Sequence, residues 1–244
     1  LSIQGIDAEI QDRFAVELEF GTAGLRGVLG AGTNRMNIYM VRKATQGLAN
    51  YLNKQGGKKS VAISYDSRIK SDVFAREAAR VLAGNGVKAY LYKEMMPVPA
   101  LSFATRHLHC DAGIMVTASH NPAVYNGIKV FMEGGRDADE TLTAAFEGYI
   151  RELEGEPVET VPYEEGLAAG SIQLIDPMND YIDSILKMVD AEAIRSRGLH
   201  VVLDPMYGVS KTALQTILLT TRCDVEVIHE RRDTLFGGRL PAPS

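Results

Sequence analysis

The sequence predicts an α/β protein: a mixed, mostly parallel sheet sandwiched by helices in a first domain, residues 1–174, plus part of a second, similar α/β domain, residues 175–244. Two observations predict it. Apolar runs of strand length alternate with stretches whose apolar residues recur at helical spacing, the pattern of a sheet layered between helices. A second strand–helix–strand unit then follows an acidic, turn-rich stretch, residues 151–173.

Residues 7–20, DAEIQDRFAVELEF, space apolar residues among charges and predict a first helix. They run into GTAGLRGVLGAGTNRMN, where glycines at 21, 24, 27, 30 and 32 permit unusual dihedrals and close backbone approach. Val41, Ala44, Thr45, Leu48, Tyr51 and Leu52 share one helical face, and Gly56-Gly57 stops that helix. SVAISYDSR, residues 60–68, predicts a buried strand ending in a polar loop. Ser71 is placed to cap the next helix, whose stripe is Phe74, Ala78, Val81 and Leu82 and whose end is marked by Gly84 and Gly86. VKAYLY predicts a strand, MMPVPALSFATRHL a proline-marked loop entering a helix, and DAGIMVT a third strand. Asn126-Gly127 followed by IKVF suggests a local antiparallel return. Beyond the acidic stretch, DPMNDYIDSILKMVD predicts an amphipathic helix. LHVVLDP, SKTALQTILL and DVEVIHE form the second strand–helix–strand unit, half a domain.

A chain of 244 residues with 45% hydrophobic and 23% charged residues fits a soluble, globular protein of one large or two ordinary domains. The formal net charge of −5 argues against a broad nucleic-acid or anionic-membrane surface and leaves room for a small basic pocket. Cys110 and Cys223 lie far apart in no metal-ligand spacing, which fits a reducing compartment. With no apolar stretch of transmembrane length and no signal-peptide pattern, a cytoplasmic location is expected. The chain opens on Leu1 and closes on GGRLPAPS, so both ends read as cut.

Reactive side chains concentrate in VTASHNPAVYNGIKVF, residues 116–131. In sheets of this type ligand-binding loops leave the carboxyl ends of strands, where YDSR and TASHNP both fall. Ser119 is a poor nucleophile unless its proton is removed or its oxygen already carries the reacting group. His120 is adjacent and Lys129 is expected on the neighbouring strand; both can transfer protons and stabilise a phosphoryl group in transit. Asn121 and the loop amides add donors, and Pro122 fixes the backbone that follows. The plainer reading stays open: side chains adjacent in sequence often diverge, and Ser-x-Asn-Pro alone is an ordinary turn.

The segment GTAGLRG is neither a phosphate-binding P-loop nor a dinucleotide fingerprint. It offers Arg26 on an open backbone, suited to bidentate phosphate contact, or it is a connecting loop. Arg68 in YDSR either supports the site or forms an ion pair with Asp66. His107, His109, His200 and His229 lack metal-binding spacing and read as structural or surface residues. Asp137, Asp139 and Glu140 read as a solvated loop, and most methionines as core filler.

Together FGTAGLRG and TASHNPAVYNGIKV closely resemble the α-D-phosphohexomutase superfamily, which includes phosphoglucomutases and phosphomannomutases. The longer ELEFGTAGLRGVLGAGTNRMN is most similar to the branch containing bacterial phosphoglucomutases and phosphopentomutase-like relatives, and GGRLPAPS resembles a second-domain segment. The resemblance implies a mutase that interconverts hexose 1-phosphate and hexose 6-phosphate. Ser119 would be phosphorylated at rest, would help ligate Mg²⁺ through its phosphate, and would pass its phosphoryl group to a sugar monophosphate. The resulting bisphosphate would turn over in the site and return the other phosphate. His120 and Lys129 match family positions linked to proton transfer and phosphate stabilisation, and Arg26 matches an arginine near the phosphoserine. Ser119, His120 and Lys129 are thus the catalytic candidates. Arg26, Asn121, Thr22 and Arg68 are the candidates for binding substrate or phosphate. The implied cofactors are Mg²⁺ and a sugar 1,6-bisphosphate activator. The implied partners are sugar phosphates, with neither nucleic acid nor membrane.

The chain departs from that pattern in extent. Family members have four domains, and roughly one and a half are present. The aspartate-rich magnesium loop, the sugar-specificity loop and the terminal phosphate-binding domain are not in this sequence. After GIKVF the family leads one to expect a Gly-Pro-Asp-Gly-like turn, where the chain has MEGGRDADE. Glucose phosphate is the expected substrate; mannose or pentose phosphates, or phosphosugar binding without turnover, are the alternatives. The chain alone is expected to be inactive, because Mg²⁺ wants several oxygens and would find only the phosphoserine.

Overall fold

Strand-length apolar runs pair into one large sheet, and the amphipathic segments between them cover its two faces. The computed structural model describes residues 3–21, 24–153 and 156–242. In chain order the first elements are α1 (Ile3–Phe14), β1 (Phe20–Gly21), β2 (Gly24–Val28), α2 (Ile38–Lys54), β3 (Ser60–Tyr65), α3 (Ser71–Gly84) and β4 (Lys88–Tyr92). Then come α4 (Val98–His107), β5 (Ala112–Val116), β6 (Tyr125–Met132), β7 (Arg136–Asp137), α5 (Glu140–Arg151), α6 (Tyr163–Ala168) and β8 (Ile172–Ile175). The second unit holds α7 (Met178–Leu186), α8 (Ala191–Arg195), β9 (His200–Leu203), α9 (Lys211–Thr220) and β10 (Asp224–Val227).

The main sheet runs β1-β2-β6-β5-β3-β4-β8, with β7 paired to β6. Strands β5, β3, β4 and β8 are mutually parallel, while β6, β2, β1 and β7 add an antiparallel flank. Every residue of β5 is buried, as expected of a strand covered on both faces. One face is packed by α2, α3 and α5 through Val41, Leu48, Phe74, Ala78 and Phe146. The other is packed by α4, with Leu101 and Ala104, and by Tyr181 and Ile182 of α7. Ala213 and Ile217 of α9 join that second cluster, so the β9–α9–β10 unit is anchored on the first domain through α7. Strands β9 and β10 pair in parallel, as a strand–helix–strand crossover requires.

The structure corrects five sequence readings. The first helix ends at Phe14 and does not reach Phe20. Long-range pairing overrides helical spacing there: Leu18 N–H donates to Thr33 O at 3.0 Å, and Phe20 N–H to Glu147 Oε1 at 3.0 Å. Ser71 is the first residue of α3 and not its cap; left-handed Lys70 precedes it, and the Ser71 hydroxyl donates to Asp66 Oδ1 at 2.8 Å. Asn126-Gly127 lies inside β6, and the turn that returns the chain is the preceding 119–124 segment. The acidic stretch closes the first domain by supplying α6 and β8, and the expected boundary after residue 174 falls within β8, which runs to Ile175. The carboxylates after β6 are built into elements: Asp137 sits in β7, and Asp139 caps α5 by accepting Leu142 N–H at 2.9 Å.

Candidate active site at the serine loop

The loop between β5 and β6 starts where the carboxyl end of β5 runs out of strand partners. Ser119 is exposed and left-handed, with φ 56°. Non-glycine residues visit that region rarely and at a cost of about 1–2 kcal/mol, so their surroundings must hold them there. Ser119 N–H donates to Thr117 Oγ1 at 2.9 Å, and Ser119 O accepts from Arg68 at 2.8 Å. In an extended strand neighbouring side chains point to opposite faces. The left-handed residue breaks that alternation, and Ser119 Oγ comes to 3.2 Å from His120 Nδ1. The two adjacent side chains therefore converge.

Arg68 is fully buried beneath this loop. Its Nη1 donates to Pro122 O at 2.9 Å and Tyr125 O at 3.1 Å, and its Nη2 to Ser119 O at 2.8 Å and Asn121 O at 2.7 Å. Four loop carbonyls thus converge on one guanidinium, whose Nε lies 3.4 Å from Asp66 Oδ2. Arg68 was expected among residues that bind substrate or phosphate. Its Nη donors are spent on the loop and its Nε is buried without a hydrogen-bond partner, so the geometry makes it a positioning residue. Asp66 accepts the Thr117 hydroxyl at 2.6 Å, the Ser71 hydroxyl at 2.8 Å and the Arg68 amide at 3.0 Å. Burial pushes its carboxyl above the usual carboxylate range, and these hydrogen bonds oppose the shift. Burial also lowers the Arg68 pKa, against the attraction of Asp66.

Arg26 reaches the same loop from β2, with Nη1 3.3 Å from Asn121 Oδ1. It pairs across the strands with Gly127, where an added Cβ would lie 2.9 Å from Arg26 Cγ. The rest of the glycine-rich segment is structural: Asn37 caps α2 and donates to Gly30 O, Gly32 O and Arg35 O. Thr22 lies outside the described residues. Lys129 pairs with Met115 on β5, on the sheet face that also carries Thr117. Its ammonium is directed to Asp137 Oδ2 at 2.8 Å and over the Phe131 ring, not to Ser119. The structure therefore unites Ser119, His120, Asn121, Arg26 and Arg68, and holds the Lys129 amine on a neighbouring hairpin.

Ser119 and His120 line a cleft of about 460 Å³ between the first domain and the second unit. Its far wall is Pro205, Met206, Gly208, Val209, Phe236 and Pro241. The sequence reading missed Thr117 as the link between Asp66 and Ser119, and it missed Phe236, whose ring lies 5.1 Å from the Arg68 guanidinium carbon. Thr117 could have been found from its place at the strand end beside the serine. Nothing local to Phe236 signals a contact so distant in sequence.

The known proteins that resemble this chain share both parts. Residues 17–156 match the phosphoglucomutase/phosphomannomutase alpha/beta/alpha domain I, and residues 179–244 match domain II of the same description. A phosphoglucomutase of Staphylococcus saprophyticus is 38% identical over 228 residues, covering 92% of this chain and 41% of that protein. One from Staphylococcus aureus is 36% identical over 221 residues, covering 88% of this chain and 39% of its own. A crystal structure from Thermus thermophilus, assigned as a phosphomannomutase, superposes with a TM-score of 0.81 at 28% identity, over 94% of this chain and 49% of that one. The chain spans about two fifths of the length of the curated relatives it matches.

Proposed function

The chain belongs to the phosphoglucomutase/phosphomannomutase family, and on that premise we propose that the protein interconverts hexose 1-phosphate and hexose 6-phosphate, with glucose phosphates preferred. The observation that carries the proposal is the Ser119 hydroxyl, presented on a left-handed turn at the rim of the cleft and 3.2 Å from His120 Nδ1. In the first half-reaction the phosphoryl group leaves Ser119 Oγ for a hydroxyl of the sugar monophosphate. The Oγ–P bond breaks, a sugar O–P bond forms, and the proton of the sugar hydroxyl is relayed through His120 Nδ1 to Ser119 Oγ, which ends as a hydroxyl. In the second half-reaction the turned bisphosphate returns its other phosphoryl group to Ser119 Oγ. There the sugar O–P bond breaks and the Oγ–P bond forms, while His120 takes the Ser119 proton through Nδ1 and passes it to the released sugar oxygen. Asn121 and Arg26 lie beside the loop to orient the phosphoryl oxygens, with Arg26 supplying positive charge. A sugar 1,6-bisphosphate would load Ser119 with its first phosphoryl group.

Family chemistry also implies a divalent cation, Mg²⁺. Among the described residues no group of three or more His, Cys, Asp or Glu side chains could hold a metal. Asp66, the carboxylate nearest in the network, is half-buried and already occupied by two hydroxyls and an amide. These residues do not make a cation site beyond the phosphoserine oxygens. No helix among the described residues is long and apolar enough to cross a membrane. A cytoplasmic setting, where sugar phosphates occur, accords with two free cysteines.

A coupled mutase assay on the full-length protein tests the proposal. Glucose 1-phosphate, mannose 1-phosphate and ribose 1-phosphate are compared with Mg²⁺ and a trace of sugar bisphosphate. Ser119→Ala should abolish turnover while leaving the fold intact. Turnover retained by that variant would overturn the assignment of Ser119 as the phosphoryl carrier.

A further inference from the structure

We propose that Phe236 is a positioning residue: through Arg68 it sets the geometry of the serine loop, so that the seating of the second α/β unit governs phosphoryl transfer at Ser119. Three observations carry this.

Arg68 spends its Nη donors on the carbonyls of Ser119, Asn121, Pro122 and Tyr125, so the guanidinium plane and the loop backbone move together. Hydrogen bonds lie in that plane and leave its faces uncovered. The Phe236 ring, itself buried, covers the guanidinium at 5.1 Å.

Phe236 is in turn held rigidly. It is left-handed at φ 52°, and Gly237 follows at φ 65°. A Cβ on Gly237 would stand 2.6 Å from Tyr207 Cε2, so the 236–237 turn is packed flush on the Tyr207 ring. Tyr207 is also left-handed, at φ 61°. Such conformations persist at non-glycine residues only where the surroundings over-determine them.

Both turns then meet the first domain at adjacent residues. Tyr207 O accepts the Ser67 hydroxyl at 3.1 Å, and Phe236 stacks on Arg68. A shift of the second unit is therefore delivered to the Ser67-Arg68 dipeptide, and Arg68 is the residue that holds the Ser119 loop. Asp66 Oδ2 lies 3.4 Å from Nε, so a carboxylate as well as the ring attends the guanidinium.

The catalytic half of this inference rests on Ser119 being the phosphoryl carrier; the structural half does not. The test therefore has two readouts on the full-length protein. Phe236→Leu keeps an apolar side chain of similar size and removes the aromatic face, whereas Phe236→Tyr keeps the face. Hydrogen exchange of the 117–127 peptide is followed by mass spectrometry, with the α2 peptide as internal reference. Phe236→Leu should speed exchange at 117–127 about tenfold, within the range expected for loss of a desolvated cation–π contact. It should leave α2 unchanged. Phe236→Tyr should stay within about twofold of the parent, since its aromatic face is intact. Equal effects of Leu and Tyr, or no effect of Leu, would overturn the coupling. In the mutase assay Phe236→Leu should lower kcat with little change in KM, and Phe236→Tyr should restore it. Faster loop exchange with an unchanged kcat would overturn the catalytic half. A parent protein inactive on every sugar phosphate, with the exchange pattern as expected, would count against the proposed function and support the coupling.

Discussion

The Thr117 hydroxyl donates to Asp66 Oδ2 at 2.6 Å and accepts the Ser119 N–H at 2.9 Å, so one side chain ties the loop after β3 to the loop after β5. Thr117→Val keeps the volume and the branched Cβ and removes both bonds. It leaves a half-buried carboxylate short of a donor and frees the Ser119 amide. Such loss costs about 1–3 kcal/mol. Urea unfolding should show a deficit of that size for Thr117→Val, and Thr117→Ser should recover most of it. A valine variant as stable as the parent would show that the hydroxyl is dispensable.

Gly127 is the point where three strands crowd. A Cβ there would lie 2.4 Å from Leu25 O and 2.9 Å from Thr117 O, both backbone atoms that cannot swing aside. Gly127→Ala should therefore destabilise the fold by about 1–3 kcal/mol or more, as overpacking does. Gly148 in α5 has nothing within 4 Å of its added Cβ. Gly148→Ala should instead stabilise by up to about 1 kcal/mol, the helix-propensity gain. The two variants changing in the same direction would refute the steric account.

These same residues mark what the sequence makes legible. Apolar runs identified β3 and β5 because burial on both faces leaves a continuous apolar signature, and β4, β9 and β10 through their β-branched, aromatic and leucine residues, although β9 and β10 are largely exposed or half-buried. The Ser-His-Asn-Pro stretch marked the reactive loop because its residue types carry the chemistry. Asn126-Gly127 misled because the signal was local and the use was not. Asn126 is fully buried, donates to Ile69 O and Ser71 Oγ, and serves the network beneath the loop. Gly127 is small because Arg26 and two neighbouring strands press on it. β8 was hidden for a related reason: Gln173 and Leu174 are exposed between buried Ile172 and Ile175, and the strand follows acidic turn residues. The supporting role of Arg68 was legible but not the carbonyls it holds, and Phe236 was beyond reach, since those contacts come from distant segments.

Cys110 is buried just before β5, and burial pushes its thiol up to about 11. At pH 8 only about one thiol in a thousand would then be ionised, and the thiolate is the reactive form. Native protein exposed to iodoacetamide should leave Cys110 unlabelled over a period that labels it fully in urea. Raising the pH toward 10 in the native state should increase labelling, because the thiolate fraction grows. Rapid labelling of native Cys110 at pH 8 would contradict the buried, neutral thiol.

Lys129 and Asp137 meet at 2.8 Å, with the lysine side chain 25% and the aspartate side chain 56% exposed. Pairs this accessible to water contribute about 0–1 kcal/mol and weaken further in salt. The Lys129 ammonium is thus held on the β6–β7 hairpin by little free energy, in contrast to Arg68, which is fully buried and bound to four carbonyls. A phosphoryl group at Ser119 could draw that amine away at small cost. Asp137→Asn should therefore lower unfolding stability by no more than about 1 kcal/mol, the range for an exposed pair. The deficit should shrink further in 0.5 M salt, where screening is strong, as urea titrations at two salt concentrations would read. A loss well above that range, insensitive to salt, would mean that the pair is a fixed structural tie. In that case Lys129 is committed to the hairpin, and its assignment to phosphoryl transfer fails with it.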